Sequence, residues 1–143
     1  MSVKQISVFL ENKKGQLAET TSLLAENGIN LRAISIAETA DYGVLRIIVD
    51  DSEKASQILL SKGNIITMTP VVVVGVKDEP AGLSNLLSLI SESNMDIEYM
   101  YSLFTHVNGK AYMVFRVADE MSFAAHLASH NVEFATNEDL GIK

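Results

Sequence analysis

The spacing of apolar residues changes along the chain in a regular order. Ile6, Val8 and Leu10 alternate with Ser7 and Phe9, which predicts a strand. From about Gly15 the spacing widens, and Leu17, Thr20, Thr21 and Leu24 recur as on one face of a helix. Asn27-Gly28 stops that helix, since glycine is the common residue where a helix ends in a left-handed turn. Residues 29–38, with Ile34 and Ile36 at alternate positions, predict a second strand. Asp41-Tyr42-Gly43 signals a turn, and the mostly β-branched residues 44–49 a third strand. Asp50-Asp51-Ser52 offers a helix cap, and Ala55, Ile58 and Leu59 mark the apolar face of a second helix. Lys62-Gly63-Asn64 ends it, and Ile65, Ile66 and Met68 predict a fourth strand. The order is β-α-β-β-α-β.

The same order then recurs. Residues 71–76 predict a strand, about 80–94 a helix, 95–105 a strand and Asn108-Gly109 a turn. Residues 111–117 predict a strand, 119–131 a helix with Phe123 and Leu127 inside, and 132–135 a short last strand. Leu17 and Leu83 stand 66 residues apart, as do Asn30 and Asp96. Asp51 and Asp119 stand 68 apart, so the second hairpin is longer by 2 residues. A period this long is a small domain, not a solenoid unit. Pro70 marks the join, with modules over residues 1–69 and 70–143 and almost no linker. The predicted fold class is α+β: two ferredoxin-like βαββαβ modules in tandem, each a four-stranded antiparallel sheet with two helices on one face. The other face and the sheet edges are then left open, which favours pairing with another copy as a homodimer.

Composition narrows the function. Of 143 residues 48% are hydrophobic, enough for packed cores in modules near the lower size limit for independent folding. The net charge is −7 and the 11 Lys and Arg are scattered, which argues against a nucleic-acid partner. There is no cysteine, so disulfides, thiolate catalysis and thiolate metal sites are excluded. The opening residues form no signal peptide, and the longest apolar run, Val71-Val72-Val73-Val74-Gly75-Val76, is too short to span a membrane by helix. A cytoplasmic protein with no membrane partner is expected.

Two stretches repeat in detail. Asn12-Lys13-Lys14-Gly15-Gln16-Leu17 precedes the first helix, and Gly28-Ile29-Asn30-Leu31 follows it. Asp78-Glu79-Pro80-Ala81-Gly82-Leu83 and Asn94-Met95-Asp96-Ile97 take the same places in the second copy. The chain resembles tandem ACT domains, the small-molecule regulatory modules of amino-acid metabolism. Such modules are attached to phosphoglycerate dehydrogenase, aspartate kinase and the regulatory subunits of acetolactate synthase. The family pattern is a strand, an Asn/Asp-x-Pro-Gly-x-Leu loop, a helix and a strand opening Gly-Ile-Asn-Ile. Lys14 stands where the family usually has proline, and Ala81 takes the glycine position, with Gly82 after it.

The resemblance implies a ligand, an amino acid, lodged between two modules. The loop of one would face the helix–strand junction of its neighbour. The residues so implied are Asn12, Gly15, Gln16, Leu17, Ile29 and Asn30. A carboxamide can donate to an α-carboxylate and accept from an α-ammonium. Backbone N–H groups at the helix start near Gly15 can receive a carboxylate. Against this, Asn12 can simply cap the helix and Asn30 end a turn. A possible second site comprises Asp78, Gly82, Leu83 and Asp96. Its carboxylates would hold an ammonium but repel a carboxylate, and Asp78 also suits a cap for the helix near Pro80. One copy would then bind and the other be degenerate.

Other chemistry finds little support. His126 and His130 have helical i, i+4 spacing but no third ligand, and His106 stands apart, so no metal is expected. Tyr99 and Tyr101 share one strand face, with Phe104 nearby, and suit interface packing. Glu138-Asp139 reads as a polar tail. No nucleophile has a neighbouring base and no Gly-rich loop could cradle phosphate, so no catalytic residue, cofactor or enzyme activity is expected. RNA-recognition modules share the strand order but need sheet aromatics within a basic motif, and acylphosphatases need a committed arginine; both are lacking. The expected function is a non-catalytic regulatory module that senses an amino acid and signals to a partner enzyme. The alternative is a ligand-independent subunit that pairs with a partner through its sheets.

Overall fold

The computed structural model describes residues 2–11, 13–38, 41–107 and 109–143, with the backbone only at 105–107. Ten elements follow one another: β1 (Val3–Glu11), α1 (Gln16–Glu26), β2 (Leu31–Glu38), β3 (Tyr42–Val49), α2 (Ser52–Ser61), β4 (Ile65–Lys77), α3 (Gly82–Ser91), β5 (Ile97–Val107), β6 (Lys110–Val117) and α4 (Glu120–Ser129). They form two compact units. One holds residues 4–69 with 140–143, the other residues 2–3 with 70–139.

The first unit carries the strand order β2-β3-β1-β4, with β4 entering through residues 65–69. β3 pairs antiparallel with both neighbours: Ile47 lies opposite Ile6 on β1 and Ile34 on β2. The alternation read from the sequence places Ile6, Val8 and Leu10 with Leu45, Ile47 and Val49 in one buried cluster. Leu24 of α1 and Ala55 and Leu59 of α2 cover it. Burial of each large aliphatic side chain stabilises by about 1.5–3 kcal/mol, which outweighs the weak intrinsic preference of such short helices.

The second unit repeats the plan with residues 70–77 of β4, β6 and β5. Val72 faces Phe115 and Val74 faces Met113 across β4 and β6. Leu86 and Ile90 of α3 and Phe123 and Leu127 of α4 close its core, with the Phe115 and Phe123 rings 5.7 Å apart. Asp51 and Asp119 cap α2 and α4 by accepting from the Lys54 and Ser122 N–H groups at 3.1 Å each. The repeat thus holds at the level of single hydrogen bonds.

Three features depart from the sequence reading. The strands expected on either side of Pro70 are one continuous strand, β4. The Pro70 carbonyl accepts from Arg116 Nη1 at 3.0 Å. The short last strand is reduced to a single bridge between Val74 and Phe134, flanked by bonds from Gly75 N–H to Glu133 O and from Ala135 N–H to Val73 O. Sheet positions that alternate with the core residues are buried as well: Gln5, Ser7, Ala33 and Ile48 in the first unit, and Val71, Val73 and Val114 in the second. Gln5 Nε2 donates to Ser7 Oγ at 2.9 Å, which keeps that buried pair satisfied.

Candidate ligand site

The helix starts differ in pairs. α2 and α4 are closed by aspartates, whereas Gly15 before α1 and Ala81 before α3 supply no side-chain hydrogen bond. Gly15 has φ 84, a left-handed conformation that glycine adopts without penalty. The first-turn N–H groups of a helix carry partial positive charge and favour an anion. α1 adds a second feature. Gln16 Oε1 is buried with no hydrogen-bond partner among the described residues. A bare buried acceptor costs about 1–3 kcal/mol, which a bound N–H donor would relieve. The start of α1 therefore offers donors for an anion and, beside them, an acceptor for a cation.

Gly15, Gln16 and Glu19 line a shallow groove of about 720 Å³ whose other wall includes Lys62 and Asn64. Where β1 runs out towards this loop, Phe9, Leu10, Tyr42 and Ile65 line an apolar hollow of about 330 Å³, with the Phe9 and Tyr42 rings 6.4 Å apart. Glu11 and Lys13 form an exposed ion pair at 2.7 Å. The hydrogen bond from Lys13 holds the Glu11 carboxyl below its usual range and raises the Lys13 ammonium in turn.

The expected site residues fall into separate groups. Asn12 lies outside the described residues. Gly15, Gln16 and Leu17 are neighbours at the start of α1, and Leu17 is 39% exposed. Ile29 belongs to the first core. Asn30 is locked to Asp50: its N–H donates to Asp50 Oδ1 at 3.0 Å and its carbonyl accepts from Asp50 N–H at 3.0 Å. α1 runs between the two groups, a separation of about 16 Å. Within one module they do not meet. In the second copy the Asp78 N–H donates to Gly109 O at 2.9 Å, Leu83 is 37% exposed, and Asp96 is exposed after α3. Gly82 is the first residue of α3, and a Cβ there would sit 2.0 Å from the Lys77 carbonyl oxygen. Lys62 and Tyr42 beside the first site were missed, because each sits in a stretch that signals only a turn.

The histidines are engaged locally. His126 Nε2 is 2.9 Å from Leu89 O, and His130 Nδ1 is 3.0 Å from His126 O. Among the described residues no group of three or more His, Asp or Glu could hold a metal. Tyr99 and Tyr101 stack on β5 with centroids 6.4 Å apart. No helix among the described residues is long and apolar enough to cross a membrane.

A doubled βαββαβ order with a glycine-bearing loop before the first helix of each module agrees with the family pattern, and the ACT domain pair family matches residues 1–142. The chain belongs to that family. This ACT domain pair is similar to a protein of known structure from Bacteroides thetaiotaomicron, at 38% identity, covering 99% of this chain and 96% of that one, with a TM-score of 0.90. The regulatory subunit of aspartate kinase from Thermus thermophilus, in its ligand-free form, aligns at 19% identity and a TM-score of 0.61, covering 90% of each chain. Its counterpart from Thermus flavus aligns at 17% identity and a TM-score of 0.59, again over 90% of each. At such identities the likeness shows the fold alone. No curated protein matches the chain. An ACT domain pair is a regulatory module, so the role that follows is regulatory and directed at a small ligand.

Proposed function

We propose that this ACT domain pair is non-catalytic, binds an amino acid at the start of α1, and signals its occupancy to a metabolic enzyme. The carrying observation is the buried, unpartnered Gln16 Oε1 beside a helix start without a side-chain cap. The ligand carboxylate would take the first-turn N–H groups, and its ammonium would take Gln16 Oε1. Asn12 and Leu17 would border it. Ile29 and Asn30, at the far end of α1, would contribute from another ACT module, so that binding favours one arrangement of modules over another. The second loop, with Asp78, Gly82, Leu83 and Asp96, would be the degenerate copy, since carboxylates at Asp78 and Asp96 would repel an anionic ligand group.

The exposed Phe9, Tyr42 and Ile65 favour a second reading, a subunit that pairs with a partner, or with its own copy, without a ligand. A thermal-shift series over the proteinogenic amino acids separates the two. The sensor reading expects a dose-dependent rise in melting temperature for one amino acid, lost in Asn12→Ala and Gln16→Ala. A flat response to every amino acid would transfer the weight to the ligand-independent subunit.

A further inference from the structure

Each module has a corner where the strand after its first helix begins and its hairpin runs into its second helix. In the first module this corner holds another part of the chain. Arg32 Nε donates to the Leu140 carbonyl at 3.0 Å, the Lys143 N–H donates to the Asp50 carbonyl at 2.8 Å, and Lys143 Nζ lies 3.8 Å from Asp51 Oδ2. Leu140 is fully buried there, and Asp50 and Asp51 are half-buried. The repeat maps Arg32, Asp50 and Asp51 onto Glu98, Ala118 and Asp119. Those three residues, with Met95, Asp96 and Val117, line a hollow of about 340 Å³ in the second module. Asp96, Glu98, Ala118 and Asp119 are all exposed.

The chemistry of the second corner is shifted in one direction. The backbone acceptor Asp50 O has its counterpart in Ala118 O, and the carboxylate of Asp51 in that of Asp119. The donor Arg32 is replaced by the acceptor Glu98, and the neutral Asn30 by Asp96. Glu98 is shared with Arg116 at 3.1 Å, while Asp96 has no hydrogen bond or ion pair among the described residues. Met95 and Val117 supply an apolar floor. A second copy of this chain, with net charge −7, would bring the wrong sign.

We propose that the corner formed by Asp96, Glu98, Ala118 and Asp119 is a docking site for a short extended segment of a partner protein. That segment carries an aliphatic residue flanked by lysine or arginine. Its backbone N–H donates to Ala118 O as Lys143 does to Asp50 O, its aliphatic side chain covers Met95 and Val117, and its cations meet Asp96 and Asp119. The inference stands apart from the amino-acid site, since it uses neither Gln16 nor the loop into α1.

The test is an NMR titration of the full isotope-labelled chain with a capped lysine-leucine-glycine-isoleucine-lysine peptide, alongside its glutamate-for-lysine counterpart. The expected result is saturable movement of the Asp96, Ala118 and Asp119 amides with the lysine peptide only. Binding should weaken by about threefold in each of Asp96→Asn and Glu98→Gln, and weaken further with added salt. Absence of saturable shifts, equal binding of the glutamate peptide, or movement confined to Asn30, Asp50 and Asp51 would overturn the proposal. The last outcome would show the peptide displacing residues 140–143 instead.

Discussion

The first and second modules share one plan yet differ at the same two places. Into α1 the chain turns through Gly15 in a left-handed conformation with open space around its α-carbon. Into α3 it turns through Ala81 in a right-handed conformation, and Gly82 packs directly on the Lys77 carbonyl. One glycine serves dihedral freedom, the other close approach. At the corners the contrast is of cover: residues 140–143 lie over Asp50, whereas Ala118 faces solvent. A duplicated sequence can thus keep a motif's letters while changing the physical constraint behind them.

The largest expected effect comes from removing the cover. Leu140→Ala should destabilise the first module by about 2–5 kcal/mol, because it empties a fully buried position. Hydrogen exchange should rise in β2, β3 and α2 while the α3 and α4 amides stay protected. Uniform loosening of both modules would abolish the contrast between the corners.

The glycines come next. Gly82→Ala should cost about 1–3 kcal/mol in chemical denaturation, since backbone must move to admit the methyl group. Gly15→Ala should cost about 1–2 kcal/mol, and Gly15→Asn less, because asparagine tolerates the left-handed region. If Gly15→Asn proves as harmful as Gly15→Ala, the first loop needs space as well as dihedral freedom, and the two loops are alike after all.

The smallest effect is a pH dependence at α4. The hydrogen bonds from the Ser122 hydroxyl and then its N–H hold the Asp119 carboxyl below its usual value. A lowered carboxyl contributes stability above its unfolded-state pKa, near pH 4, and loses it as pH falls through the folded value. The Ser122 amide should therefore exchange faster as pH drops below about 4 in the native chain, relative to intrinsic rates. In Asp119→Asn that step should vanish. A step of unchanged size in the variant would assign the titration to another group.

Much of this architecture is legible because alternation and helical spacing report burial directly. The alternation of Ile6, Val8 and Leu10 predicts a strand, and all three lie in the first core. Asp51 was legible as a cap because short acidic side chains before a helix have one good use, whereas Asp119 reads from the sequence as the first residue of its helix and caps it instead. The continuity of β4 was hidden, since Pro70 cannot donate to a ladder and so reads as an interruption. Residues 140–143 were hidden for a different reason. Asn137-Glu138-Asp139 looks like a polar tail, and one leucine beyond it carries no period. Of the candidate site, Gly15 and Gln16 were singled out by the family resemblance, but the orphaned Gln16 oxygen is a matter of three-dimensional packing. The separation of Asn30 from the loop follows from the length of α1.

The exchange of residues 140–143 into the first unit also sets an order in time. A ribosome releases residues 4–69 well before residue 140, yet the bond from Arg32 to Leu140 spans 108 positions. At about 5–20 residues per second, the earlier module waits roughly 4–14 s for its last piece. The half made first is therefore the half finished last. Throughout that interval nascent chains expose a corner with Asp50 and Asp51 on it, which residues 140–143 contact in the mature fold.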